Sequence, residues 1–269
     1  MEQNNSDLVK PIFIFGCSNS GTKILWQALK NHKDLSGPDV EGQDLEELPE
    51  TMKHSLGKAT FRLWAHPKFK LKYYYTEKDY NEEDKEKIKK VYSKYLIPGT
   101  RFITKSPADT LRARLIQSYF PDAYFIAVVR NGYAVSEGII RKRKDDPERQ
   151  EFKGLFTTID ESAEQWFRAN TIIVSHKEFL KNYMIIKYED LVEKPDETVS
   201  AVINFLGLNK EGFIIPEYIK GLNEIQISRL SPYDIETVTR IAQPMLIHFG
   251  YQILQKDLDW ENVKHHEIY

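Results

Sequence analysis

The 269-residue sequence is poor in cysteine and carries almost no excess of one charge. Its single cysteine, Cys17, excludes a disulfide within the chain and a zinc site built from several cysteines. Lys and Arg total 38 and Asp and Glu total 40, which gives a formal net charge of −2. This balance argues against binding to nucleic acid through bulk charge, but it leaves room for a local anion pocket.

The sequence also lacks a long apolar segment near its start. Residues 1–10 have no basic region, and the first apolar run, at residues 11–15, is too short for a signal peptide or a membrane span. We therefore expect a soluble, cytoplasmic protein without nucleic-acid or membrane partners. Hydrophobic residues make up 41% of the chain, enough for a substantial core, and we expect a single domain over residues 1–269.

Apolar strand patterns alternate with amphipathic helix patterns along the chain. Residues 12–15 are apolar on both faces and end at Gly16, which is typical of a buried parallel strand. We expect further strands at residues 101–104, 123–129 and 183–187. Helices are expected from residue 22 and at residues 81–95, about 107–119, 133–143, 159–180, 195–206 and 234–249. We expect a short helix at residues 42–53, a loop or hairpin at 68–75, a loop at 145–153 and irregular structure at 208–231. The alternation predicts an α/β fold with a central parallel sheet flanked by helices.

A run of small and polar residues, G-C-S-N-S-G-T-K, follows the first strand at residues 16–23. The backbone N–H groups of such a loop can point at an anion, and the next helix adds the positive end of its dipole. Ser20 and Thr22 can add hydroxyl donors. The loop stands at the carboxyl end of a strand, where α/β folds bind ligands, so we interpret it as a phosphate loop. The alternative is an ordinary glycine turn.

The loop differs from a Walker A motif at the position of the lysine. Gly16 and Gly21 have the Walker spacing, but Thr22 stands where that motif has lysine, and Lys23 comes one residue late. A shift of one residue turns a helical side chain by about 100°. The loop therefore disfavours an ordinary ATP or GTP hydrolase, and a P-loop kinase of a small molecule is an alternative function.

Four segments, in order, resemble the PAPS-dependent sulfotransferases, in particular their bacterial and Golgi-type domains (PAPS is 3′-phosphoadenosine 5′-phosphosulfate). The G-C-S-N-S-G-T loop resembles the 5′-phosphosulfate loop, and K-S-P at residues 105–107 resembles the K-[ST]-P segment. Residues 120–131, F-P-D-A-Y-F-I-A-V-V-R-N, resemble the strand whose final arginine binds the 3′-phosphate. K-Y-E-D-L-V at residues 187–192, with Pro195 and F-L-G-L at 205–208, resembles the last block.

The resemblance implies a three-layer, P-loop-like fold with a nucleotide-binding core at residues 10–208 and a C-terminal lid and helix at 209–269. It implies PAPS as the cofactor, released as PAP, and the sequence shows no metal-ligand pattern. The reaction would move a sulfuryl group by in-line displacement to a hydroxyl or amine of a small-molecule acceptor, such as a carbohydrate or specialised metabolite. A catalytically degenerate protein that only binds PAP or PAPS is another alternative. The acceptor, the choice between O- and N-sulfation and the oligomeric state stay open.

The resemblance also assigns cofactor-binding residues. Ser20, Gly21 and Thr22 match the 5′-phosphate binders. Arg130 matches the 3′-phosphate arginine, with a structural ion pair as the alternative, and Tyr188 matches a tyrosine near the adenine, with a core tyrosine as the alternative. The full expected set is Cys17, Ser18, Asn19, Ser20, Gly21, Thr22, Lys23, Arg130, Ser136, Gly138 and Tyr188.

Two positions depart from the family pattern. The family usually has a serine eight residues after the arginine, where this sequence has Gly138. Ser136 is the nearby serine, but on a helix it points about 200° away from position 138. The basic residues 141–143 are further candidates, although they also fit an exposed helix end. Many members carry Lys or Arg directly before S-G-T, where this sequence has Asn19.

The expected catalytic residues are Lys105, Glu41, Lys23 and His66. Lys105 matches a family lysine and is the first candidate for the cation that contacts the sulfuryl group, with Lys23 second. A hydroxyl acceptor needs a general base, and Glu41 lies nearest the glutamate of Golgi members. Glu41 could instead belong to an acidic solvated loop, and the rival base, His66, could be a packing residue. We expect the acceptor pocket at residues 64–75, 145–156 and 209–233.

Overall fold

The computed structural model describes residues 8–53, 63–67, 73–144, 158–210 and 221–255. Within these ranges the strands are β1 Ile12–Phe15, β2 Leu35–Ser36, β3 Arg101–Lys105, β4 Tyr124–Val129 and β5 Asn182–Lys187. They form one sheet in the order β2-β3-β1-β4-β5, and the neighbouring strands pair in parallel. The predicted central parallel sheet is confirmed.

Helices connect and cover the strands. In chain order they are α1 Thr22–Lys30, α2 Glu82–Ser93, α3 Ala113–Tyr119, α4 Gly132–Lys144, α5 Ile159–Ser175, α6 Tyr188–Glu193, α7 Pro195–Leu206, α8 Leu222–Ile227 and α9 Pro232–His248. Short 3₁₀ turns lie at Gly42–Asp44, Glu50–Met52, Glu77–Asp79, Pro107–Leu111 and His176–Glu178. Of the helices in the described ranges, none has the length and apolar character that crossing a membrane requires.

The structure differs from the predicted elements in a few places. The short elements β2 and α6 were not predicted, and α8 lies inside a segment that was expected to be irregular. The helix expected at residues 159–180 ends at Ser175 and continues as a 3₁₀ turn. The helix expected at 107–119 is a 3₁₀ turn followed by α3. The loop predicted at residues 145–153 and most of the segment at 68–75 lie outside the described residues.

The sheet is buried on both faces. Phe13 of β1 points to one face, where its ring centroid lies 5.7 Å from that of Phe125 in a cluster that includes residues of α2 and α3. Its neighbour Ile14 points to the other face and joins a cluster with Leu25 of α1 and Val202 of α7. Fully burying one such side chain is worth about 1.5–3 kcal/mol. The two clusters make a three-layer fold with helices on both sides of the sheet.

The parallel arrangement brings the carboxyl ends of the strands to one edge. Ile14 of β1 is in register with Lys105, and Phe15 is in register with Ala127 of β4. The segments that follow β1, β3, β4 and β5 therefore emerge side by side. They carry the phosphate loop, the K-S-P segment, Arg130 and Tyr188.

Candidate active site

Residues 16–21 form the loop that connects β1 to the N-terminus of α1. Gly16, Asn19 and Gly21 have positive φ angles of 153°, 69° and 90°. A Cβ on Gly16 would also collide with the carbonyl oxygen of Val128, so the loop requires glycine there. Gly21 is the N-cap of α1 and no side chain caps the helix. The N–H of Ile24 donates to the Gly21 carbonyl oxygen at 3.0 Å, and the N–H groups before it in the helix can face another acceptor.

Two side-chain donors of this loop are buried and have no hydrogen-bond partner within the described part of the chain. They are Ser20 Oγ and Asn19 Nδ2. A buried polar group without a partner costs about 1–3 kcal/mol, so such groups usually face a ligand or water. An anion held by the loop would satisfy hydroxyl and amide donors of this kind. The donors fit the predicted phosphate end of PAPS, and their role stays a prediction.

The loop lines a cleft of about 310 Å³ at the carboxyl edge of the sheet. Most of the predicted site residues come together in this cleft. Those that line it are Ser18, Asn19, Gly21, Thr22, Lys23, Glu41, Lys105, Arg130 and Tyr188. The other lining residues are Ile24, Pro107, Arg141, Lys142, Leu222 and Gln226.

Five predicted residues do not line the described cleft: Cys17, Ser20, Ser136, Gly138 and His66. Cys17 is fully buried in the core cluster that contains Trp64, and burial raises the pKa of its thiol to about 12. The Ser136 hydroxyl is buried, and the structure gives it no hydrogen-bond partner among the described residues. His66 Nε2 lies 3.5 Å from Glu164 Oε2 of α5. Of the two candidate bases, Glu41 lines the described cleft and His66 does not, and which of them acts as a base stays a prediction.

Lys105 and Glu41, the candidate cation and the candidate base, form an ion pair. Gln43 holds the other oxygen of the carboxylate, because its Nε2 donates to Glu41 Oε2 at 3.0 Å. The side-chain oxygen of Gln43, Oε1, accepts from Ser106 Oγ at 3.0 Å. These contacts tie the 3₁₀ turn Gly42–Asp44 to the K-S-P segment and fix the direction of Glu41.

The backbone of this turn approaches β3 closely. A Cβ on Gly42 would lie 2.6 Å from Thr104 Oγ1, so glycine allows the turn to pack against the strand that ends in Lys105. Asp44, at the end of the turn, is exposed. Partial desolvation raises the pKa of its carboxyl, and the negative charge of Glu41 raises it further. Glu41 and Asp44 therefore place two carboxyl groups near the buried Lys105.

Arg130 lies directly after β4 and is almost fully buried. Its Nε donates to Asn223 Oδ1 at 2.8 Å, and its NH1 donates to the carbonyl oxygen of Asn19 at 3.0 Å. Its NH2 donates to Gln226 Oε1. The Tyr188 ring centroid lies 4.1 Å from the guanidinium carbon, and desolvation lowers the pKa of the guanidinium. The expected alternative, a structural ion pair, is not formed by Arg130 with any described residue; its partners are neutral.

Carboxylates orient the two amides that contact Arg130. Gln226 Nε2 donates to Glu137 Oε2 at 2.9 Å, and Asn223 Nδ2 donates to Glu189 Oε1 at 2.7 Å. A carboxylate accepts and cannot donate, so each amide turns its nitrogen toward the carboxylate and its oxygen toward the arginine. Helix α8 is thereby linked to the ends of β4 and β5.

Sequence reasoning missed the contributions of Gln43, Asn223 and Gln226. Gln43 lies two residues after Glu41, and that proximity was the only available signal. Asn223 and Gln226 lie in a segment without helical periodicity, and they meet Arg130 across more than 90 positions of sequence, at separations of 93 and 96. Within the described residues there is no cluster of three or more His, Cys, Asp or Glu side chains arranged to hold a metal ion.

Comparison with known proteins gives one family. The sequence model of the sulfotransferase family matches residues 11–212. Among curated proteins, nodulation protein NoeE of Sinorhizobium fredii (strain NBRC 101917 / NGR234) is 22% identical over 255 residues. That alignment covers 87% of this chain but only 57% of NoeE, so the chain spans less than two-thirds of that relative.

Solved sulfotransferase structures share the fold. The sulfotransferase domain of the Synechococcus PCC 7002 olefin synthase is 20% identical with a TM-score of 0.54, covering 94% of this chain and 100% of that one. Sulfotransferase STF9 from Mycobacterium avium is 11% identical with a TM-score of 0.56, covering 94% of this chain and 80% of that one. The P-loop-like fold is confirmed by these neighbours, and because the family model spans most of the sequence, the chain belongs to the sulfotransferase family.

Proposed function

We propose that this protein transfers the sulfuryl group of PAPS to a hydroxyl or amine of a small-molecule acceptor. One observation carries the proposal: the phosphate loop, the Lys105–Glu41 pair and Arg130 line the same cleft. Sulfuryl transfer resembles phosphoryl transfer, in which positioning and charge stabilisation dominate. Those are the tasks that a donor-rich loop, a buried lysine and a buried arginine can perform.

The residues of the cleft fit the two charged ends of the donor. The loop, with the unpartnered Ser20 hydroxyl, would hold the 5′-phosphosulfate end, and Arg130 would hold the 3′-phosphate. The Tyr188 ring packs against the loop so closely that a Cβ on Gly21 would lie 2.5 Å from its Cδ2. This contact supports a place for Tyr188 beside the nucleoside, between the two phosphate sites.

The C-terminal part of the chain takes part in the same site. Asn223 and Gln226 of α8 contact Arg130, which supports the division into a nucleotide-binding core at residues 10–208 and a lid at 209–269. Residues 211–220 of the proposed lid lie outside the described structure.

The Lys105–Glu41 pair would perform the chemistry. PAPS supplies the sulfuryl group when bound and leaves as PAP. Glu41, held by Gln43 through one oxygen, would accept the proton of the acceptor hydroxyl or amine at its other oxygen, Oε1. The ammonium group of Lys105 would leave Glu41 and contact the donor oxygens that become more negative as the sulfuryl group is transferred. A positioned donor of this type contributes about 10²–10³ in rate.

The proposal is tested by following the conversion of two donors by the full chain. PAPS alone, or ATP with Mg²⁺ alone, is incubated with a library of alcohols and amines, and the nucleotide products are separated by chromatography. We expect PAP together with a sulfated acceptor, at least about 100-fold less of both with Lys105→Met, and unchanged yield with Lys33→Met at an exposed lysine.

The other two functions give different results in the same experiment. Consumption of ATP with PAPS untouched would identify a kinase. PAP binding without consumption of PAPS for any acceptor would favour the degenerate binding protein, which the departures at Asn19 and Gly138 motivate.

A further inference from the structure

We propose that Gln226 is a ligand of the donor's 3′-phosphate and takes the place of the serine that the family pattern has at position 138. The inference rests on the proposed function, because it names a residue of the same donor site. Gln226 lies on α8, and no motif in the sequence identifies Gln226 as a ligand.

The first support is the space at Gly138. A Cβ on Gly138 would lie 2.8 Å from Gln226 Nε2, closer than real Cβ contacts allow. The amide nitrogen of Gln226 therefore occupies the space that a serine side chain at 138 would use. A hydrogen-bond donor is still present at this point of the site, but it comes from α8 instead of α4.

The second support is the orientation of the amide. Gln226 Oε1 accepts from Arg130, and Nε2 donates to Glu137 Oε2 at 2.9 Å. An amide nitrogen carries two N–H groups, so Gln226 can keep its bond to Glu137 and donate the second hydrogen to an anion. The carboxylate of Glu137 thus fixes the orientation of the Gln226 amide.

The third support is that a ligand in the cleft can reach Gln226. Gln226 and Arg130 both line the cleft, although Gln226 is only 3% exposed. Arg130 has five N–H groups and uses three of them in the described contacts. A phosphate at the remaining donors of Arg130 would also meet the Gln226 amide. Ser136, the serine nearest in sequence, does not line this cleft.

The test compares PAP with AMP, which differ only by the 3′-phosphate. Dissociation constants of both nucleotides are measured by calorimetry with the full chain and its variants. The wild-type chain should bind PAP more tightly than AMP. Gln226→Ala should weaken PAP about tenfold, the value of one hydrogen bond to a charged group, and leave AMP unchanged. Gln226→Glu, which is isosteric but anionic, should weaken PAP further.

Two further variants separate a ligand from a structural residue. Ile225→Ala changes an exposed neighbour on the same helix and should leave both constants unchanged. Gly138→Ser combined with Gln226→Ala returns a serine to the vacated space and should recover several-fold of the PAP affinity. Unchanged binding of AMP by a variant would show that the variant is folded.

Two results would overturn the inference in distinguishable ways. If wild type prefers PAP and the Gln226 variants weaken PAP and AMP by the same factor, Gln226 is structural and only this inference fails. If the wild-type chain does not distinguish PAP from AMP, the proposed function fails, and the inference fails with it.

Discussion

Lys105 and Glu41 share an ion pair but differ in how far solvent reaches them. The Lys105 side chain is 3% exposed and that of Glu41 is 27% exposed. Removal of one partner leaves the other charge behind, and the cost depends on whether water can replace the lost partner. Glu41→Ala strands the buried ammonium group and should cost about 3 kcal/mol of unfolding free energy, whereas Lys105→Met should cost about 1 kcal/mol.

Urea unfolding of the two variants measures this difference. Glu41→Gln is the control, because its carbonyl oxygen can still accept a hydrogen bond from Lys105, so its loss of stability should be smaller than that of Glu41→Ala. Glu41→Gln should nevertheless lower kcat by about 10²-fold, since an amide cannot accept the acceptor's proton. Equal losses of stability for Glu41→Ala and Lys105→Met would contradict the unequal burial.

At the scale of elements, the junction of β1 and α1 depends on Gly21. This residue combines a φ of +90° with the close approach of the Tyr188 ring. Gly99 has a similar φ of +85° and nothing within 4 Å of the added Cβ, which makes it a matched control. Gly99→Ala should cost about 1–2 kcal/mol through backbone strain alone.

Gly21→Ala should cost more than Gly99→Ala, because Tyr188 must also move, and it should weaken PAP binding at least about tenfold. Urea unfolding and calorimetric titration with PAP measure the two effects. Comparable stability losses, with PAP affinity intact in Gly21→Ala, would show that the Tyr188 contact does not shape the loop.

The elements also show what sequence patterns can predict. Helix α7 was predicted with its observed bounds, because a proline begins it and Gly207 ends it in the left-handed region. Strand β2 has two residues and carries no periodic signal, so it could not be predicted. Helix α8 has only six residues, too few for a clear hydrophobic periodicity. Its position in the fold is fixed by the hydrogen bonds that Asn223 and Gln226 make with Arg130.

Some residues of the candidate site could be predicted from the sequence, and others could not. Lys105, the last residue of β3, and Arg130, directly after β4, were predicted from the family resemblance. The parallel topology brings both strand ends to the cleft. Gln43 and Gln226 were missed because their roles depend on distant contacts with Ser106 and Arg130. The Cys17 side chain is buried in the core cluster that contains Trp64, and its place in the cofactor site stays a prediction.

At the scale of the whole molecule, we predict that His176 couples folding to pH. It is buried behind the sheet, with its ring 5.8 Å from that of Phe15 and its Nε2 2.8 Å from the carbonyl oxygen of Thr110. Desolvation lowers its pKa from 6.5 to about 4. Between these values the unfolded chain binds a proton that the folded chain does not, so stability falls as pH falls.

The shift should remove about 3 kcal/mol of unfolding free energy between pH 6.5 and pH 4. Urea unfolding across that window measures the slope in wild type, in His176→Gln and in the exposed-site control His248→Gln. His176→Gln should flatten the slope, and His248→Gln should keep it. A slope that survives in His176→Gln would assign the pH dependence to other groups.

One calorimetric measurement on the wild-type chain tests the central claim, that the cleft holds a nucleotide by a 5′-phosphate at the loop and a 3′-phosphate at Arg130. PAP, AMP and ATP with Mg²⁺ are titrated separately. We predict that PAP binds at least about tenfold more tightly than AMP, and that PAP at about 100 times its Kd stabilises the fold by about 2.7 kcal/mol. Tight binding of ATP with Mg²⁺, and no preference for PAP over AMP, would contradict the account.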